Sequence, residues 1–319
     1  MSISAAPAPG RTPLSVSTMW TPSVGTRCGV AQYADALVTA LHRIGHPVAH
    51  TAEPAADAAV VHLQHEHSLV APERVAEVAR HARDRDVPFV VTEHSVRGQV
   101  DDWEGEVAAL VAHSAHGVAL LSDRRPGRRV ELIPHGCPTW FPRRKVHRGR
   151  VVATFGFLEP HKGLPALLEA AAAVGDVELL LIGSTRAAWA DEWLAGLRLP
   201  VTVRRVAEFL EEEEIARRLA AEADVLVFPY AQPRFAAVSG AVRVGLASGV
   251  PVLTTPTTWF SDLRDVTLQT DDLAAGITRL LDDTALRDAL SDGARRHCSE
   301  HSWERTAHRH ADLYDALRH

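Results

Sequence analysis

Ser239-Gly240 stands where an irregular loop gives way to an amphipathic stretch, between apolar runs at residues 225–228 and 250–254. Backbone N–H groups and a hydroxyl at a helix start form a ready anion site. At the carboxyl ends of parallel strands, such a site is where open α/β sheets hold phosphates. Lys162, with Lys145 one of only two lysines, follows an apolar run at 151–155 and precedes a helical pattern. A cation at that turn neutralises a diphosphate lying in a cleft. Each feature also has a plain reading, as an ordinary N-cap serine and as a solvated lysine. Gly29 follows the first apolar run, where the lack of a side chain lets the backbone approach phosphates or a second substrate; a simple loop glycine is the alternative. His94 ends a buried run, at the end of a sheet where sites form. There an imidazole can bond a substrate or stabilise charge, or serve only as a satisfied structural histidine. Glu93 beside it is a second candidate.

His65, Glu66 and His67 also follow an apolar run and could line the side of a second substrate. As metal ligands they are poorly spaced, because adjacent residues of an extended segment alternate faces, and no third ligand is indicated. We therefore expect no metal. Asp101, Asp102 and Glu104 are expected to charge a helix start, and Glu211 to Glu214 to form a solvated first turn. His135, after Pro134, is expected to order a turn.

The 319 residues suffice for two domains with real cores, and 46% hydrophobic against 23% charged residues is the balance of a globular protein. A net charge of −6 argues against a general nucleic-acid binder. Arginine supplies nearly all the positive charge, which together with abundant alanine fits a GC-rich bacterial genome. Cys28, Cys137 and Cys298 are too few and too scattered for a disulfide framework or a metal knuckle, which suggests a reducing, cytoplasmic setting. No apolar run approaches a membrane span.

Short apolar runs alternate with amphipathic stretches along the chain, the pattern of βαβ units and parallel sheets. Strands are expected at 14–19, 58–63, 87–92, 117–121 and 130–133, and helices at 30–44, 72–85 and 103–113. A basic, Pro-containing segment without apolar period, 139–150, reads as a linker. Beyond it strands are expected at 151–155, 177–182, 201–206, 225–228 and 250–254. Helices are expected at 164–174, 187–197, 211–221, 239–248, 273–282, 284–301 and 303–318. The division that follows has four parts. Residues 1–13 form a disordered lead-in, 14–142 a first Rossmann-like domain and 150–302 a second. Residues 303–319 form a helix packing back towards the first domain.

An ordered set of short motifs resembles the GT-B glycosyltransferases of retaining family 4, the group 1 type, in its SGxL form. They are RCGVAQY at 27–33, LQHEH at 63–67, PFVVTEHS at 88–95, IPHG at 133–136, FGFLEPHKG at 155–163, DVLVFPY at 224–230 and the SG…GVPVLTTP segment at 239–256. The resemblance implies an α/β protein whose two Rossmann-like domains face each other across a cleft. It would move a sugar, with retention, from a nucleoside diphosphate sugar to a hydroxyl of a small-molecule or saccharide acceptor, with no obligate cofactor. It implies Lys162, Ser239, Gly240 and Gly29 on the donor diphosphate, His94 on the transferred sugar, and the loop Ala207, Glu208, Phe209 at the nucleotide base. His65, Glu66 and Glu93 would lie on the acceptor side. Three departures stand out. Phe157 occupies a position where relatives carry arginine, with Arg234 a candidate substitute. Ala236 and Val244 occupy positions where relatives carry two glutamates. A catalytically silent partner subunit of the same fold is therefore an alternative. An NAD-dependent oxidoreductase is a weaker one, since TPSVGTRCG lacks the G-x-G-x-x-G fingerprint.

Overall fold

The structure is a computed structural model and describes residues 16–55, 57–144, 149–183, 196 and 201–318. The expected lead-in lies outside them, as do part of the linker and, Gly196 apart, the helix expected at 187–197.

Two six-stranded parallel sheets carry the chain. The first contains β1 (Ser17–Trp20), β2 (Val48–Thr51), β3 (Val61–His65), β4 (Phe89–Glu93), β5 (Ala109–Ala112) and β6 (Val130–Leu132), in the order β2-β1-β3-β4-β5-β6. The second contains β7 (Val151–Phe155), β8 (Glu178–Ile182), β9 (Thr202–Val206), β10 (Val225–Phe228), β11 (Val252–Thr254) and β12 (Leu268–Gln269), in the order β12-β11-β10-β7-β8-β9. The strand order reverses beside β1 in the first sheet and between β7 and β10 in the second. Crevices for ligands open at such points. The central strands β4, β5, β7 and β10 are buried along their whole length. Helices on both faces account for their continuous apolar runs.

In the first half, α1 (Gly29–Arg43), α2 (Pro72–Asp84) and α3 (Ala115–Arg124) flank the sheet. In the second half, α4 (Leu164–Val174), α5 (Glu212–Glu222), α6 (Gly240–Ala247), α7 (Leu273–Asp282) and α8 (Thr284–Glu300) do so. The last helix, α9 (Trp303–Leu317), crosses back and lies against α1. Its Ala307, Ala311, Leu313 and Tyr314 share a buried cluster with Met19, Leu37, Leu41 and Val90.

Most elements beyond residue 150 fall within two residues of their expected bounds. Two segments of the first half exchange roles. Residues 103–113 form a 3-10 turn, Asp102–Gly105, followed by β5 rather than a helix. The short run Ala-Leu-Val-Ala is apolar on every side because it is central in the sheet, and periodicity alone does not separate such a run from a buried helix. Residues 117–121 lie inside α3 rather than a strand; the Ser114 hydroxyl caps that helix by accepting from the Gly117 amide at 3.1 Å. β2 and β12 are short, half-buried edge strands without a strong apolar pattern. Among the described residues no helix is long and apolar enough to cross a membrane.

Candidate functional site

The two sheets bring their carboxyl ends together around a cleft of about 400 Å³. Loops after β1, β3 and β4 supply Cys28, Gly29, Glu66 and His94 from one side. Loops after β7, β8, β9 and β10 supply Gly156, Phe157, Lys162, Gly183, Glu208, Phe209, Ser239 and Gly240 from the other. The halves also touch directly. The backbones of Val96 and Ala236 exchange two hydrogen bonds, at 2.8 and 2.9 Å, and the Arg27 guanidinium lies 4.6 Å from the centre of the Phe209 ring.

Lys162 closes the 3-10 turn Pro160–Lys162. The next residue, Gly163, has φ +67°, and a Cβ there would sit 1.9 Å from the Pro229 carbonyl oxygen. The lysine turn is therefore pressed against the end of β10 in a way only glycine permits. Lys162 Nζ donates to the Tyr230 hydroxyl at 2.6 Å and lies 4.1 Å from the ring centre. Ser239 donates to the same hydroxyl at 3.4 Å. Tyr230 thus ties the lysine to the start of α6.

The Ser239 hydroxyl caps α6, accepting from the Val242 amide at 3.4 Å. The first amides of the helix have no intrahelical acceptor. Beneath them Arg243 is buried at 1% exposure. Its guanidinium donates to the Ser239 carbonyl at 2.8 Å and pairs with Asp262. This fixes the cap and adds positive potential under the cleft. A Cβ on Gly240 would approach His135 Nε2 at 3.2 Å, so the glycine allows the two halves to meet closely. Across the cleft α1 starts in the same manner: Cys28 Sγ accepts from the Ala31 amide at 3.4 Å. Burial raises the Cys28 thiol, but its hydrogen bonds with Ser23, the helix amides and Thr26 outweigh it and leave the pKa lowered. Gly29 has open space around its Cβ position.

His94 Nε2 donates to Gln64 Oε1 at 2.9 Å. Gln64 Nε2 lies 3.3 Å from His62 Nε2, and His62 Nδ1 lies 2.6 Å from the Tyr314 hydroxyl on α9. Burial, reinforced by His113, holds His94 well below the usual imidazole range, and burial brings His62 to about 3. Both imidazoles are neutral at pH 7. Tyr33 packs on His94 at 4.8 Å and on His135 at 4.9 Å.

Of the residues expected from sequence, Lys162, Ser239, Gly240, Gly29, His94, Glu66, Glu208 and Phe209 converge on the cleft. Ala207 is exposed on the same loop without lining it. His65 and Glu93 do not reach it. They are 1% and 0% exposed at their side chains and pair at 3.1 Å, because β3 and β4 direct them to the opposite face. The objection to metal ligation also fails on geometry. His65 and His67, two apart, share a face, and Glu93 on the neighbouring strand supplies a third ligand atom, all within 4.8 Å. Arg234 is exposed and does not line the cleft. Val244 lines it, whereas Ala236 is buried in the bridge to Val96. Glu104 accepts from the Asp101 amide at 3.2 Å and pairs with Arg124, as part of a 3-10 turn rather than a helix start. Glu212, in the first turn of α5, is only partly exposed. It faces the cleft, and burial plus neighbouring Glu211 push its carboxyl up to about 7. Tyr230, Arg243, Tyr33, Gln64 and Trp303 were not singled out. Tyr230 alone carried a usable signal, since it ends the apolar run that precedes the anion loop.

The whole architecture is shared with solved glycosyltransferases. HepE from Anabaena, solved with UDP and glucose, matches with a TM-score of 0.73 at 14% identity, covering 94% of this chain and 100% of that one. A glycosyltransferase from Rickettsia africae ESF-5 matches at 0.76 and 13% identity, over 95% and 98% of the two chains. AviGT4, a glycosyltransferase involved in avilamycin A biosynthesis, matches at 0.63 and 18%, over 96% and 98%. The fold is therefore GT-B. Residues 149–283 match the family model described as "Glycosyl transferases group 1". The chain thus has the GT-B fold, and its second half carries the match to the group 1 glycosyltransferase domain. No curated protein sequence matches the chain.

Proposed function

We propose that the protein transfers a glycosyl group from a nucleoside diphosphate sugar to a hydroxyl of a saccharide or small-molecule acceptor, with retention, as a family 4 enzyme of the SGxL form. One observation carries the reading: Lys162 and the capped start of α6 converge, through Tyr230, on one face of a cleft whose other face holds His94. The donor diphosphate lies between the lysine and the helix amides, which stabilise charge as the sugar–phosphate bond breaks and its electron pair leaves with the diphosphate. The acceptor oxygen forms the new bond on the same face of the sugar, and its proton passes to the departing diphosphate. His94, neutral and oriented by Gln64, hydrogen-bonds the sugar. The loop Ala207, Glu208, Phe209 takes the base. Glu66 lines the acceptor side. The positive charge already in the cleft makes a metal ion unnecessary for this step, and the chemistry suits the cytoplasm, where nucleotide sugars are supplied.

A thermal-shift screen of UDP, GDP, ADP and TDP and their sugars tests this, followed by nucleotide release from the stabilising donor. Stabilisation by one nucleoside diphosphate, with slow donor hydrolysis, supports the reading; no shift with any of them refutes it. The silent-subunit alternative draws on Ala236 and Val244, which leave two carboxylates out of the donor side. Nucleotide binding without hydrolysis or transfer would favour it.

A further inference from the structure

Behind the acceptor side of the cleft, β3 and β4 enclose a cluster of ligating side chains that the transfer reaction does not use. His65 Nδ1 lies 3.1 Å from Glu93 Oε2. His67 Nε2 lies 4.0 Å from the same oxygen and has no hydrogen-bond partner although it is buried. The three donor atoms fall within 4.8 Å of one another. A tetrahedral ion with ligands at about 2.1 Å needs donor atoms roughly 3.4 Å apart, so binding draws His67 inward from its present 4.0 Å. The surroundings resemble a metal's outer shell. Asp101 Oδ2 faces His67 Nδ1 at 3.8 Å and is itself buried without a partner, the carboxylate–imidazole arrangement that orients a ligating histidine. Arg124 lies 3.8 Å from Glu93 Oε1 and pairs with Glu104 at 2.8 Å. Arg124 thus faces Oε1, while Oε2 is aimed at the imidazoles. The His67 side chain is 13% exposed and gives an entry path.

We propose that His65, His67 and Glu93 bind one divalent cation of the zinc class, with solvent as the fourth ligand and Asp101 orienting His67. Two imidazoles and a carboxylate favour a late first-row metal over magnesium or calcium. His65 ligates through Nδ1 as the neutral tautomer with its ring proton on Nε2, so no proton is released. The ion braces the loop after β3, whose Glu66, Ser68 and Leu69 face the cleft while His67 faces the other way. Its role is structural and independent of the transfer proposed above.

The full chain, stripped with chelator, is titrated with Zn²⁺ by calorimetry and with Co²⁺ by visible absorption. One equivalent bound below micromolar, with the ligand-field band of four-coordinate cobalt, is expected. His67→Gln, at the rim of the cluster, should weaken binding at least 100-fold, and Asp101→Asn about 10- to 100-fold. His81→Gln, an exposed histidine on α2, should leave it unchanged. Weak binding without that band in the wild type, or equal binding by a folded His67→Gln, overturns the proposal.

Discussion

Removing the Lys162 amine tests the donor site most directly. In Lys162→Ala the cleft loses the one lysine among its described lining residues, while the start of α6, Arg243 and the Tyr230 ring stay in place. An ammonium about 4 Å from a phosphate charge, at the effective dielectric of a partly buried site, contributes about 4 kcal/mol. Loss of a single donor to a developing oxyanion elsewhere costs about 2.7–4 kcal/mol. At about 1.36 kcal/mol per tenfold, kcat should fall about 100- to 1,000-fold. Donor affinity should fall less, because the charge on the diphosphate grows as the sugar departs. Stability should drop by only about 1 kcal/mol, the worth of the hydrogen bond to Tyr230 and the contact with its ring. The assay is the initial rate of nucleoside diphosphate release at saturating donor, beside a thermal melt. A variant that melts near the wild type and retains kcat within threefold would refute the assignment of Lys162.

Three further outcomes follow from the cleft and its supports. Glu212 has a folded pKa raised to about 7 from an ordinary 4.5. Ionising it therefore removes stability as pH rises between those values, and Glu212→Gln should raise the melting temperature at pH 8 but not at pH 4, with a gain of about 1–2 kcal/mol once partial solvent screening is counted. Cys28, half-buried at a helix start with a lowered pKa, should be alkylated by iodoacetamide well before the buried Cys137 and Cys298, and a bound nucleotide diphosphate should protect it; mass spectrometry of the labelled peptides decides this. Gly163→Ala forces a Cβ into the Pro229 carbonyl at positive φ. It should lower stability by about 1–3 kcal/mol and displace Lys162, so kcat should fall along with the denaturation midpoint.

The second sheet could be read almost strand by strand, because Val151–Phe155, apolar but for Thr154, and Val225–Phe228 are short apolar runs closed by Gly or Pro, and amphipathic helices separate them. The first half was harder. Ala109–Ala112 is central and apolar on all sides, so its periodicity says nothing of its class, and the helix that follows announces itself only through the Ser114 cap. Lys162, Ser239 and His94 could be placed at the cleft because each follows a strand at the end where parallel sheets bind ligands. The supports were not. Arg243 looks like an ordinary surface arginine until its helix is seen end-on against Asp262, and Gln64 matters only because β3 aims it at His94. His65 and Glu93 misled for the converse reason: both sit at strand ends, but strand alternation turns them away from the cleft.

The return of α9 to the first sheet imposes an order on synthesis. Residues up to Leu132 leave the ribosome roughly 170 residues before Trp303 follows them. At about 5–20 residues per second, that leaves the nascent first half without its covering helix for about 10–35 s. The surface that Ala307, Ala311 and Tyr314 later seal is open to chaperones, or to aggregation, for that interval. A stalled or clipped chain lacking the last helix would therefore fail first in the half that was made first.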